Sequence, residues 1–115
     1  AEYVRLAKGI GAKYGIRVEP CGHAGDGNIH TEMLRDASMS DEDWIKGTRA
    51  CLTELYGVSK RFGGQLSGEH GIGNGRLEYL KPFVGDRMYK LYQSIKLAFD
   101  EKLILNPGKI ITFEE

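Results

Sequence analysis

Residues 21–30 read CGHAGDGNIH, a glycine-rich run bounded near each end by a histidine. Asp26-Gly27 favours a two-residue hairpin turn, because both residue types tolerate the left-handed backbone that such turns need. A turn there sets Gly25 opposite Asn28, Ala24 opposite Ile29 and His23 opposite His30. Directly opposed residues hold their Cβ atoms about 4.5–5.5 Å apart, from which two ring nitrogens reach one divalent ion at roughly 2.0–2.1 Å each. The turn itself requires glycine and aspartate, not a histidine at each end. The pair is therefore a candidate for two ligands of a metal site.

A third ligand must come from elsewhere, and Glu69 in SGEHGIG, residues 67–73, is the candidate. Successive side chains of a regular strand point to opposite faces, so Glu69 and His70 serve one pocket only where the backbone turns. Gly68 and Gly71 flank them and permit that turn. The plainer readings are a polar hairpin tip and ordinary turn glycines. GIGNG at 71–75 is not a nucleotide loop: Arg76 stands where a third glycine belongs, and Pro82 interrupts any crossover helix.

Outward from these motifs, Val4, Ala7, Ile10 (or Gly11) and Tyr14 recur at helical spacing and Gly15 follows as a cap. Residues 16–21 and 29–35 read as two short strands. Ser40 before Asp41, Glu42 and Asp43 starts a long helix, whose apolar stripe is Trp44, Ile45, Thr48, Leu52, Leu55, Tyr56, Ser59 and Phe62. Gly63 and Gly64 end it. Residues 65–69 are expected as a strand, 76–80 as a helical turn limited by Pro82, and 86–102 as a helix with Met88, Leu91, Ile95, Ala98 and Phe99 on one face. Asn106-Pro107-Gly108 makes a type II turn, and residues 110–113 close the sheet. The expected class is α+β: one domain over 1–115, with a small, mainly antiparallel sheet and helices on one face, ferredoxin-like in outline.

Sixteen basic and sixteen acidic side chains cancel, without a long run of either sign, which argues against nucleic acid as a partner. The longest apolar runs are too short to cross a membrane, so direct insertion is not expected. Cys21 and Cys51 are far apart, belong to no CxxC, and read as small hydrophobes in a reducing, cytoplasmic setting. The chain starts inside a helical pattern and reads as part of something longer.

GHAGDGNIH at 22–30, SGEHGIG at 67–73 and LNPGKI at 105–110 resemble, in this order, the C-terminal domain of the FAD-linked oxidases. That family includes the glycolate oxidase flavoprotein subunit, D-lactate dehydrogenases and D-2-hydroxyglutarate dehydrogenase. The resemblance implies that His23, His30 and Glu69 bind a divalent metal, zinc or manganese, with His70 as catalytic base and Asn28 orienting substrate. It also implies a small 2-hydroxy acid as substrate and hydride transfer to FAD. The FAD is expected mainly on a separate FAD-binding domain or subunit that this chain lacks, with Asn106 toward the flavin. Any membrane association would then run through other subunits. Arg76 stands where the family often has lysine. Glu32 stands where some relatives have asparagine, so substrate choice does not transfer. The alternatives from other classes are a non-catalytic metal- or ligand-binding α+β module and a metallohydrolase using Glu69 as base.

Overall fold

The computed structural model describes residues 1–113, in the order α1 (Glu2–Lys13), β1 (Arg17–His23), β2 (Asn28–Leu34), α2 (Asp41–Arg61), α3 (Leu77–Val84) and α4 (Asp86–Phe99). This is an α+β architecture with a two-stranded antiparallel sheet. The chain divides into two compact units, Ala1–Glu69 and His70–Glu115.

In the first unit, α1 ends through its sequence. Gly15 takes φ 68°, its N–H donates to Ala12 O at 3.2 Å and that of Ile16 donates to Gly11 O at 2.9 Å. These two bonds satisfy the last carbonyls of the helix in a Schellman cap and reverse the chain into β1. Ser40 caps α2 as expected: its Oγ accepts from the Asp43 N–H at 3.1 Å and donates to the Asp43 carboxylate at 2.7 Å. Ala7, Ile10, Ile16, Val18, Cys51, Leu55 and Val58 form the core, with Met33 and Trp44 packed against it. Lys13 and Tyr14 at the end of α1 both bond Glu54 of α2, at 2.7 and 2.9 Å.

The buried stripe of α2 is rotated from the expected one. Cys51, Leu55 and Val58 face inward, while Ile45 and Phe62 are more than half exposed. Cys51 supplies the centre of the true stripe, and its burial pushes the thiol pKa up, with the Glu54 charge adding to the effect. Residues 65–69 do not form the expected strand. Their run instead leaves α2 through a bond from Ser59 Oγ to Gln65 O at 2.8 Å, and Leu66 is buried. The ferredoxin-like outline is therefore present only as its hairpin and helices.

In the second unit, Pro82 lies inside α3 rather than limiting it. The ring removes one N–H, yet the residues beyond it stay helical, and the Gly85 N–H closes the helix on Lys81 O at 2.9 Å. Helix α4 stops at Phe99, short of the expected end. The cause is Asp100, whose carboxylate accepts from the N–H groups of Ile104 and Leu105 at 3.1 and 2.9 Å and from Lys96 Nζ at 2.6 Å. Asn106-Pro107-Gly108 turns as expected, with Lys109 N donating to Asn106 O at 3.3 Å and Gly108 at φ 69°. Residues 110–113 do not join a sheet. They dock on α4, where Tyr89 Oη accepts from Thr112 N at 2.8 Å and Gln93 Nε2 donates to Thr112 O at 2.7 Å. Leu80, Tyr89 and Ile111 are buried.

Asp100 is 7 % exposed. Its hydrogen bond to the Lys96 ammonium, aided by the two backbone N–H groups and opposed by burial, holds the carboxyl pKa below its ordinary 3.8. A group depressed in the folded state stabilises the fold above its unfolded pKa, and that contribution disappears as pH falls through the folded value. Asp100→Asn is therefore expected to lower the melting temperature at neutral pH and to flatten its fall below the ordinary carboxylate range. Glu54, depressed chiefly by Lys13, keeps part of the acid sensitivity in place. Thermal melts across the acid range check this, and an unchanged acid limb in the variant contradicts it.

Candidate metal centre

Strand period two sorts the hairpin into an apolar and a chemical face. Val18 and Met33, directly paired, pack into the core. Arg17, Glu19, Cys21 and His23 of β1 alternate to the opposite face, with Asn28, His30 and Glu32 of β2. The register differs from the expected one: His23 pairs with Asn28 and Cys21 with His30. The loop holds four residues because Asp26 spends its carboxylate on the Asn28 N–H at 3.2 Å, while Asp26 and Gly27 N–H groups donate to His23 O. A shift of two residues preserves the faces, whereas a shift of one would have sent one histidine to the core side. The imidazoles thus become diagonal neighbours, their ring centroids 5.6 Å apart and nearly edge to face.

Glu69 meets them both. Its Oε1 lies 2.6 Å from His30 Nε2 and 3.4 Å from His23 Nε2. Gly68 lies against the Asn28 side-chain amide, which a Cβ at residue 68 would push aside. That contact also places Asn28 beside the residue preceding Glu69. The sequence pattern alone gave no sign of this contact.

One ligand atom each from His23, His30 and Glu69 lies within 4.8 Å of the others. Tetrahedral ligands roughly 2.0–2.1 Å from zinc lie about 3.3 Å apart, so the His23 contact already has ligand spacing and the His30 contact must open by less than about 1 Å. Two imidazoles and a carboxylate suit zinc or manganese. The side chains of His23, His30 and Glu69 are 58 %, 27 % and 45 % exposed, which leaves coordination positions open toward solvent.

His70 and Asn106 belong to the second unit. Asn106 sits at φ 49°, a left-handed conformation that asparagine accepts more readily than most residues, so the turn alone accounts for its identity. Arg76 Nη1 donates to Gly71 O at 3.1 Å, tying the glycine loop to the start of α3. Cys21, expected as a small hydrophobe, is exposed on the chemical face. Its position two residues before His23 carries the signal that sequence reasoning passed over. No described helix is long and apolar enough to cross a membrane.

Comparison with known proteins identifies the family. Residues 1–110 match the family described as FAD linked oxidases, C-terminal domain. The chain is 37 % identical over 110 residues to a D-lactate dehydrogenase of Anaerostipes hadrus, covering 96 % of this chain and 23 % of that protein. It is 40 % identical over 111 residues to a D-lactate dehydrogenase of Archaeoglobus fulgidus, covering 96 % and 24 %. Against the glycolate oxidase subunit GlcD of Bacillus subtilis it is 34 % identical over 110 residues, covering 96 % and 23 %. The chain spans about a quarter of the length of these relatives. With its hairpin histidines and glycine-flanked glutamate on one face, the chain belongs to the C-terminal domain family of the FAD-linked oxidases.

Proposed function

We propose that the chain is the substrate-binding C-terminal part of an FAD-dependent oxidoreductase acting on a small 2-hydroxy acid of the glycolate or D-lactate type. The observation that carries this reading is Glu69 Oε1 within reach of both imidazole Nε2 atoms. His23, His30 and Glu69 hold a zinc or manganese ion. When bound, that ion supplies a Lewis acid that acidifies the substrate hydroxyl, and FAD on a domain outside this chain supplies the hydride acceptor.

The chain's own residues do the rest. Asn28, beside Gly68, offers an amide that orients the substrate carboxylate or hydroxyl. His70 follows Glu69 directly in the chain and, by resemblance, receives the hydroxyl proton on a ring nitrogen as Cα is oxidised. Asn106 faces the flavin, on the same resemblance. Two features support a flavin-binding partner domain: the fraction of the relatives that this chain spans, and the exposure of Leu91, Ile95 and Phe99 along α4. The free thiols Cys21 and Cys51 fit a reducing cytoplasmic setting, with any membrane association made by other subunits.

Mixing the pure chain with FAD, D-lactate or glycolate and a dye acceptor is expected to give no turnover, because the flavin has no module to hold it. The longer enzyme that contains the domain is expected to reduce the dye, to lose that activity on chelation and to regain it with Zn²⁺ or Mn²⁺. Robust turnover by the chain alone, or chelator-insensitive activity in the longer enzyme, contradicts the reading.

A further inference from the structure

The chemical face of the hairpin carries more donors than the centre above uses. Cys21 lies directly across from His30. Glu32 stands two residues beyond His30 and projects from the same face. One ligand atom each from Cys21, His30 and Glu32 lies within 4.8 Å of the others. The charges around them are unequal. Glu19, the cross-strand partner of Glu32, is held by Lys8 at 3.1 Å and faces Arg17 Nε at 3.9 Å. Glu32 makes no ion pair among the described residues, so its charge is available to a bound cation. Cys21 is a free, exposed thiol, unlike the buried Cys51.

We propose that Cys21, His30 and Glu32 form a second metal position, one that takes a thiophilic divalent cation such as Zn²⁺ or Cd²⁺. Sulfur, nitrogen and carboxylate oxygen with one position open to solvent match the ligand chemistry of zinc, and the thiolate favours soft ions over manganese. On coordination the Cys21 thiol releases its proton to solvent and the sulfur lone pair forms the bond. His30 belongs to both sets of donors. A neutral imidazole has one lone-pair nitrogen, so it serves one ion at a time. A thiophilic ion at this position draws His30 away from Glu69 and leaves the first centre with His23 and Glu69 alone. That competition rests on the metal reading proposed above, whereas the second position itself does not.

The test is a Co²⁺ titration of the reduced 115-residue chain, followed by the near-ultraviolet charge-transfer absorption of a thiolate–cobalt bond. The band is expected in the wild type and in Cys51→Ala, His23→Ala and Glu69→Gln, and is expected to be lost in Cys21→Ser and Cys21→Ala. Glu32→Gln is expected to weaken binding at least about tenfold, since even groups that only support a ligand cost that much. Circular dichroism checks that the Cys21 variants, altered at an exposed position, keep the fold. Absence of the band in the wild type, or its survival in Cys21→Ser, overturns the proposal. A parallel Mn²⁺ titration separates the two readings: if His23→Ala and Glu69→Gln bind manganese like the wild type, the first centre fails while a Cys21-dependent cobalt band still upholds the second.

Discussion

Alanine in place of His30 or Glu69 is expected to lower Mn²⁺ affinity by about a hundredfold or more, given that loss of a merely supporting group costs 10–100-fold. The effect is large because these two side chains form the shortest contact of the centre, 2.6 Å, and converge from distant parts of the first unit. Removing either leaves two donors, too few to displace the water around a zinc or manganese ion. His23→Ala is expected to cost less, since His23 sits at the end of β1, is 58 % exposed and meets Glu69 at 3.4 Å. In the longer enzyme the activity with 2-hydroxy acids is expected to fall in the same order. Metal analysis after dialysis, together with turnover at saturating Mn²⁺, measures both. Equal manganese content in the three variants and the wild type contradicts the ligand assignment.

The second large effect concerns His70. If it receives the hydroxyl proton, His70→Ala in the longer enzyme lowers kcat by about 10²–10⁴-fold, the usual contribution of a positioned base. Metal affinity is expected to stay unchanged, and KM to move little, because the variant loses proton transfer rather than binding. Added imidazole is expected to restore part of the rate. A variant that loses metal along with activity, or that imidazole leaves untouched, assigns His70 a structural part instead. The measurement thereby separates His70 from Glu69, its neighbour in the chain.

Much of this arrangement is legible in the sequence, and the reasons are specific. Strand alternation alone places Cys21, His23, His30 and Glu32 on one face, and it does so although Asp26-Gly27 lies in a four-residue loop rather than a two-residue turn. The four-residue loop shifts pairing by two residues and leaves parity intact. Helix starts and stops written in capping residues, Ser40 and Gly15, are also local signals. Where partners were distant, the sequence was silent. Gln65–Glu69 has strand composition but makes no ladder pairing among the described residues; it meets β2 through side chains and is held by Ser59. The tail at 110–113 looked like a strand and is instead fixed by Tyr89 and Gln93. The stripe expected on α4 is a real helical periodicity, yet Met88, Leu91, Ile95 and Phe99 stay exposed while Tyr89 is buried. Periodicity reports that a face exists; it does not report what covers it.

The central claim is that His23, His30 and Glu69 hold one ion between them. Manganese is the discriminating probe, because it favours imidazole and carboxylate over the Cys21 thiolate. Crystals of the chain soaked in Mn²⁺ and measured for anomalous scattering are expected to show a single peak within bonding distance of both imidazoles and the Glu69 carboxylate. A peak that omits Glu69, or none near the hairpin at full soak, contradicts the account.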